Sequence, residues 1–271
     1  MTLNPAQTYR ISKLSNSVFR RGIQLFWIGV CALAMLWQTR LLLGDRGFPL
    51  WLAGFVFGAT VFGYSFTASD PVRRWLAWGA GALAGICFLR LEPAQQFTTA
   101  LPAAIWFSYY FLHGAGRSGL RRYPVLKPVA IALAWSWVTV LLPLPLRQWG
   151  LAAAVFAGRW AYIFSLALAY DLCDRAYDRR HGLVTLVMQL GPGRSFRLID
   201  AALLCSGTCC CLNGLLHIYS WPLAVALLLS LALSRMGIRY VAPQLSWGAW
   251  RKAAIDGLMV LQLSLVWMAK M

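Results

Sequence analysis

Acidic residues are scarce in this chain. Eight Asp and Glu stand against 25 Lys and Arg in 271 residues, and charged residues make up only 12%. A water-soluble domain carries about 25%. The shortage runs along the whole sequence, so it excludes an ordinary soluble fold. With 60% hydrophobic residues, the composition predicts an all-α polytopic integral membrane protein, with residues 1–271 as a single transmembrane domain. No cleaved signal is expected either. The first segment is polar and basic as far as Arg21, and the apolar run after it is too long for a signal-peptide core.

Histidine is rarer still. His113, His181 and His217 are scattered along the chain and give no metal triad. Seven cysteines are present, with Cys205, Cys209, Cys210 and Cys211 clustered. Consecutive helical residues point about 100° apart, so this cluster cannot converge on one metal. It reads as small apolar-like packing residues, without a disulfide framework. The net charge of +17 is divided among the segments between apolar runs, and no basic stripe with interleaved aromatics occurs. A nucleic-acid partner is therefore not expected; a lipid bilayer is.

A crossing helix needs about 20 mainly apolar residues. Nine candidate spans follow, at 23–43, 49–68, 75–91, 97–113, 127–143, 150–172, 198–217, 221–239 and 252–269. With the N-terminus inside, nineteen of the 25 Lys and Arg fall on the cytoplasmic side and five on the other, and Arg159 lies within a span. That asymmetry supports nine crossings of the plasma (inner) membrane, with a cytoplasmic N-terminus and the C-terminus on the opposite side.

Against so few acids, one cluster stands out. Asp171, Asp174 and Asp178 hold three of the eight carboxylates within eight positions, at the end of the sixth span. On a helix, the spacing i, i+3, i+7 aligns them in one stripe. Like charges in such a stripe repel, and a divalent cation lying against it would stabilise them. In the expected orientation they lie at the cytoplasmic mouth. A substrate with a charged head and an apolar tail would place its head there and its tail among the helices.

The stretch continues through Gly182, a natural helix stop, to Thr185-Leu186 and Leu190-Gly191. It resembles the second aspartate-rich motif of the UbiA-type intramembrane prenyltransferases: D-x-x-D-x-x-x-D, then a glycine, T-L and L-G. Eight positions match at fixed spacing. Tyr123-Pro124-Val125-Leu126-Lys127, before the fifth span, is similar to the family's Y-P-x-x-K segment. The resemblance implies a ring of nine helices around a lipid-accessible central cavity. It implies transfer of a prenyl group from a prenyl diphosphate to an unidentified acceptor, with Mg²⁺ held by Asp171, Asp174 and Asp178. Lys127, Tyr123, Arg121, Arg122, Arg175 and Tyr170 would be substrate-binding residues. Mg²⁺ takes one or two carboxylates plus phosphate oxygens and waters, and it neutralises the departing diphosphate.

The chain departs from the family at the end of the second span. The first motif, N-D-x-x-D-x-x-x-D or a relative, is replaced by Gly63-Tyr64-Ser65-Phe66-Thr67-Ala68-Ser69-Asp70-Pro71. Asp70 is its sole acid and a candidate metal ligand; Ser65, Thr67 and Ser69 are weak ligands. Three accounts remain open: a one-metal transferase aided by Arg73, Arg74, Arg121, Arg122 and Lys127, a different leaving group, or a non-catalytic protein that binds or transports prenyl lipids. A cation transporter of another kind ranks below these, since it needs acids deep within spans and Asp256 is the one candidate.

Other polar residues carry weaker expectations. Asp256 is either a functional acid within the ninth span or a salt-bridge partner of Lys252 at i+4 spacing. Arg159 either pairs inside the cavity or snorkels outward, and the second is favoured. Arg175, Arg179 and Arg180 mostly express the positive-inside pattern. Asp200 reads as a first-turn acid favoured by its helix dipole, while Asp45 and Glu92 lie in outer loops without a role. Trp135, Trp137, Tyr162 and Tyr170 could line a cavity that stabilises a carbocation, although packing or interfacial placement is the favoured reading of each.

Overall fold

The computed structural model describes residues 5–44, 47, 49–66, 71–111, 123–180, 182–244 and 250–271. Among them there is no strand. The helices in order are α1 (Pro5–Leu42), α2 (Leu50–Ser65), α3 (Pro71–Phe88), α4 (Pro93–Thr98), α5 (Ala100–Phe111), α6 (Leu126–Ser136), α7 (Trp149–Arg180), α8 (Leu186–Leu215), α9 (Trp221–Val241) and α10 (Trp250–Lys270). Among the described residues the nine expected spans fall mainly on helix. Five helical segments among the described residues are long and apolar enough to cross a membrane: Gly22–Leu42, Leu146–Arg180, Leu186–Leu215, Trp221–Val241 and Trp250–Lys270. Leu50–Ser65 and Leu126–Leu141 are apolar but shorter.

The described chain divides into two compact units. The first comprises Met1–Leu33 and Pro49–Arg90. Its α2 and α3 pack through small residues. A Cβ on Gly58 would lie 2.8 Å from the Ala80 carbonyl and 2.9 Å from the Ala84 nitrogen, and one on Gly54 would lie 2.6 Å from Cys87 Sγ. The G-x-x-x-G spacing of Gly54 and Gly58 thus lets two backbones approach where lipid offers no hydrophobic drive between helices.

The second unit comprises Ala34–Phe48 and Leu91–Met271 and holds the aspartate stripe. Its helices differ from the sequence expectation in three places. The expected helix at 97–113 begins earlier and breaks at Thr99. Pro102 explains the break, because its ring excludes the carbonyl four residues back. The freed Thr98 carbonyl accepts a hydrogen bond from Trp137 Nε1 at 2.9 Å. Glu92 caps α4 in a box with Gln95, so this loop acid has a local structural role.

The second difference is a π-helical turn at Trp137–Leu141 that extends α6. The third is α8, which starts at Leu186 rather than near 198 and bends at Gly191, followed by Pro192. Asp200 is therefore well inside α8 rather than in a first turn. Its carboxylate is held by Arg235 and Arg239 of α9, which replaces the expected dipole interaction.

Candidate functional site

The stripe lies on the last turns of α7, which runs unbroken from Trp149 to Arg180. Gly182 ends the helix as expected. Its φ of +65° is left-handed, and Leu183 N–H returns to the Asp178 carbonyl at 2.9 Å, in the manner of a Schellman cap. Nine residues on, Gly191 has φ 73° and ψ 166°, a region open essentially to glycine alone. Both motif glycines thus sit where the backbone needs them. Between them Thr185 opens α8, and its hydroxyl is buried without a hydrogen-bond partner.

Asp171 and Asp178 are buried, at 3% and 5% exposure. Lys127, from the first turn of α6, places Nζ 2.5 Å from Asp171 Oδ1. Lys252, from the first turn of α10, places Nζ 2.7 Å from Asp174 Oδ1 and lies 5.5 Å from the centre of the Tyr170 ring. Tyr170 donates its hydroxyl to Asp256 Oδ2 at 2.6 Å. Arg251 donates to the carbonyls of Cys173 at 3.1 Å and Ala242 at 3.3 Å, which ties α10 to α7. Three helix ends therefore converge on the stripe, and two lysines meet part of its negative charge.

The remaining acceptors are informative. Asp171 Oδ2 and Asp178 Oδ2 are buried with no hydrogen-bond partner. A buried carboxylate oxygen left in that state is costly. Hard, unpaired oxygens next to a partly neutralised carboxylate row fit the ligand preference of Mg²⁺, which completes its shell with waters and phosphate oxygens. Among the described residues, however, no group of three His, Cys, Asp or Glu is placed to hold a metal ion by itself. The site fits a cation shared with a phosphorylated ligand better than a closed protein cage.

Of the sequence-predicted residues, the structure joins Asp171, Asp174, Lys127 and Tyr170 in one connected cluster, with Asp178 two turns beyond Asp171 on the same helix. Tyr123 is 57% exposed, and its carbonyl accepts the Leu126 and Lys127 N–H groups at the start of α6. Arg175 is half-buried and Arg179 and Arg180 are exposed. Asp70, Arg121 and Arg122 lie outside the described residues. Ser65 donates to the Val61 carbonyl at 2.6 Å, so its hydroxyl is committed to its own helix.

Sequence reasoning missed Lys252 as the partner of Asp174, because the i+4 spacing offered it Asp256 on its own helix, whereas Asp256 is met by Tyr170. It also missed the unpartnered Thr185 hydroxyl, although Thr185 belonged to the matched motif. Asp256 adds its carboxylate to the cluster through Tyr170. Arg159 is a correction: it is 5% exposed and does not snorkel. Of the aromatic candidates, Trp137 packs edge-on against Trp149, and Tyr162 is buried with its hydroxyl 3.2 Å from Ser234.

The chain shares its fold with a solved structure described as digeranylgeranylglyceryl phosphate synthase in membranes. The TM-score is 0.56 at 11% identity, over 92% of this chain and 94% of that chain. No family profile and no curated protein matches the sequence. The expected all-helical architecture is thus found, in common with a protein described in membranes.

Proposed function

We propose that this protein transfers a prenyl group from a prenyl diphosphate to an acceptor within the membrane. The observation that carries this reading is the pair of buried, unpartnered oxygens, Asp171 Oδ2 and Asp178 Oδ2, on a stripe flanked by two lysines. The diphosphate head of the substrate would lie over the stripe, at the cytoplasmic mouth of the inner membrane, with its prenyl tail among the helices. The shared fold with a membrane prenyltransferase supports the same reaction class.

Asp171, Asp178 and Asp174 would hold Mg²⁺ together with oxygens of the diphosphate. Bound there, the ion would offset the charge that builds on the diphosphate as its C–O bond breaks. Lys127 and Lys252 add fixed positive charge to the same place, already oriented by Asp171 and Asp174. Such prepositioned charge favours the leaving group without reorganising at the moment of bond breaking. Arg121, Arg122, Arg175 and Tyr123 would reach the head group from the flanking segments. Tyr170, fixed by Asp256, presents a ring near the breaking bond, where an allylic cation would gain from an aromatic face.

The alternative is a protein that binds or transports prenyl lipids without turnover. What favours it is that Lys127 and Lys252 already occupy one oxygen of Asp171 and one of Asp174, while the sequence from Gly63 to Pro71 carries a single acid, Asp70. Purified protein incubated with Mg²⁺ and prenyl diphosphates of several lengths separates the two. Pyrophosphate release is expected, with a loss on the order of 100-fold or more in Asp174→Ala and no change in its melting temperature beyond a few degrees. Binding without release would sink the transferase and leave the lipid-binding reading.

A further inference from the structure

A second polar site lies within the second unit, away from the aspartates. Arg159 precedes Asp171 by twelve positions on α7, about 18 Å at 1.5 Å per residue. A cavity of about 30 Å³ opens beside it, lined among others by Gln38, Arg159, Ser206, Asn213, Tyr219 and Gln262. One water needs roughly 10–15 Å³ on this measure, so the space suits an ion or a head group of a few atoms. None of the residues lining the cavity is acidic.

Arg159 is held entirely by neutral oxygens. Its Nη1 donates to the Met35 carbonyl at 3.0 Å and to Thr139 Oγ1 at 3.3 Å, and its Nη2 donates to Gln38 Oε1 at 2.5 Å and Thr39 Oγ1 at 3.3 Å. The π-helical turn at 137–141 brings Thr139 into this set. Among the described residues no carboxylate pairs with Arg159. Hydrogen bonds of this kind fix the guanidinium in place but leave its full charge uncompensated in a low-dielectric interior.

The cavity also holds two unfinished hydrogen-bonding groups. Gln38 is fully buried; its oxygen is taken by Arg159, and its Nε2 has no partner. Asn213 is 1% exposed; its Nδ2 donates to the Cys209 carbonyl at 2.7 Å, and its Oδ1 has no partner. One free donor, one free acceptor and one bare positive charge border the same small space.

We infer that the cavity beside Arg159 is a binding site for a compact monovalent anion, either a halide ion or the carboxylate of an amphiphile. The anion accepts from Gln38 Nε2 and neutralises Arg159, and a water bound to the anion donates to Asn213 Oδ1. A prenyl tail does not fit this lining, because an apolar occupant would leave the charge and both amide groups unanswered. The site is independent of the aspartate stripe, and its test does not use prenyl transfer.

The full chain, purified in detergent, would be melted in sodium sulfate, chloride, bromide, acetate and decanoate at one ionic strength, and crystals grown in bromide would be examined for anomalous scattering. A saturable rise of a few degrees in chloride and bromide over sulfate, with a bromide peak in the cavity, identifies a halide site. A rise in acetate or decanoate without one in halide identifies a carboxylate site. Ser206→Leu, which fills the cavity, and Arg159→Gln, which removes the charge, should each abolish the salt-specific rise. Should those variants fail to fold, the bromide peak in the native protein decides. Equal melting in every salt, with water alone in the cavity, overturns the inference.

Discussion

Lys127 of α6 and Asp171 of α7 are 44 positions apart in sequence and meet at 2.5 Å. The carboxylate of this pair is almost fully buried, while the lysine keeps 19% of its side-chain surface. Removing one partner should therefore hurt more than removing both. Lys127→Met is expected to cost roughly 3–5 kcal/mol, the range for an uncompensated buried charge. The double variant Lys127→Met with Asp171→Leu should recover most of it. Thermal denaturation of the two variants side by side checks the sign, and equal losses in both would refute the coupling.

Asp178 separates stability from chemistry. Its Oδ2 is buried and unpartnered, so the charge is a burden on the folded protein in the absence of a ligand. Asp178→Asn keeps the shape and removes the charge. Its melting temperature should stay level or rise, while pyrophosphate release should fall by about 100-fold. A variant that is both less stable and fully active would count against a ligand role for this residue.

Two glycines test the backbone. A Cβ at Gly182 or at Gly191 would meet nothing within 4 Å, so any penalty comes from the dihedral angles alone. Gly182→Ala, at φ +65°, should cost about 1–2 kcal/mol. Gly191→Ala, with φ 73° and ψ 166°, should cost more, because that region is closed to other residues. Denaturation midpoints in the same detergent rank the two, and the reverse order would be a failure.

Tyr170 links the stripe to α10 through Asp256. Tyr170→Phe removes the donor to a buried carboxylate and should destabilise by about 1–3 kcal/mol. Adding Asp256→Asn should return part of that loss. If the hydroxyl only packs, Tyr170→Phe will melt with the native protein.

Much of the fold could be read in the residues. Most of the apolar runs became helix because no competing period or turn chemistry interrupts them. Where expectation and structure parted, short-range chemistry decided: Pro102 broke one helix, the π turn lengthened α6, and Gly191 with Pro192 let α8 start twelve positions early. Arg159 was misjudged on the assumption that an arginine in a span escapes to water. Met35, Gln38 and Thr39, on one face of α1, and Thr139 instead enclose it, and no local pattern relates those positions to Arg159.

By itself the sequence determined that this is a helical membrane protein, that three aspartates share one helix face, and that a glycine closes the helix after them. Those facts follow from hydropathy and helical period, which act within a few residues. Only the tertiary structure decided which cations answer the aspartates, that Asp256 joins them through Tyr170, and that Arg159 lies buried without a carboxylate among the described residues. Those pairings join residues from 20 to 124 positions apart, and charge acts through space rather than along the chain. The partners exist as partners only after the helices have packed.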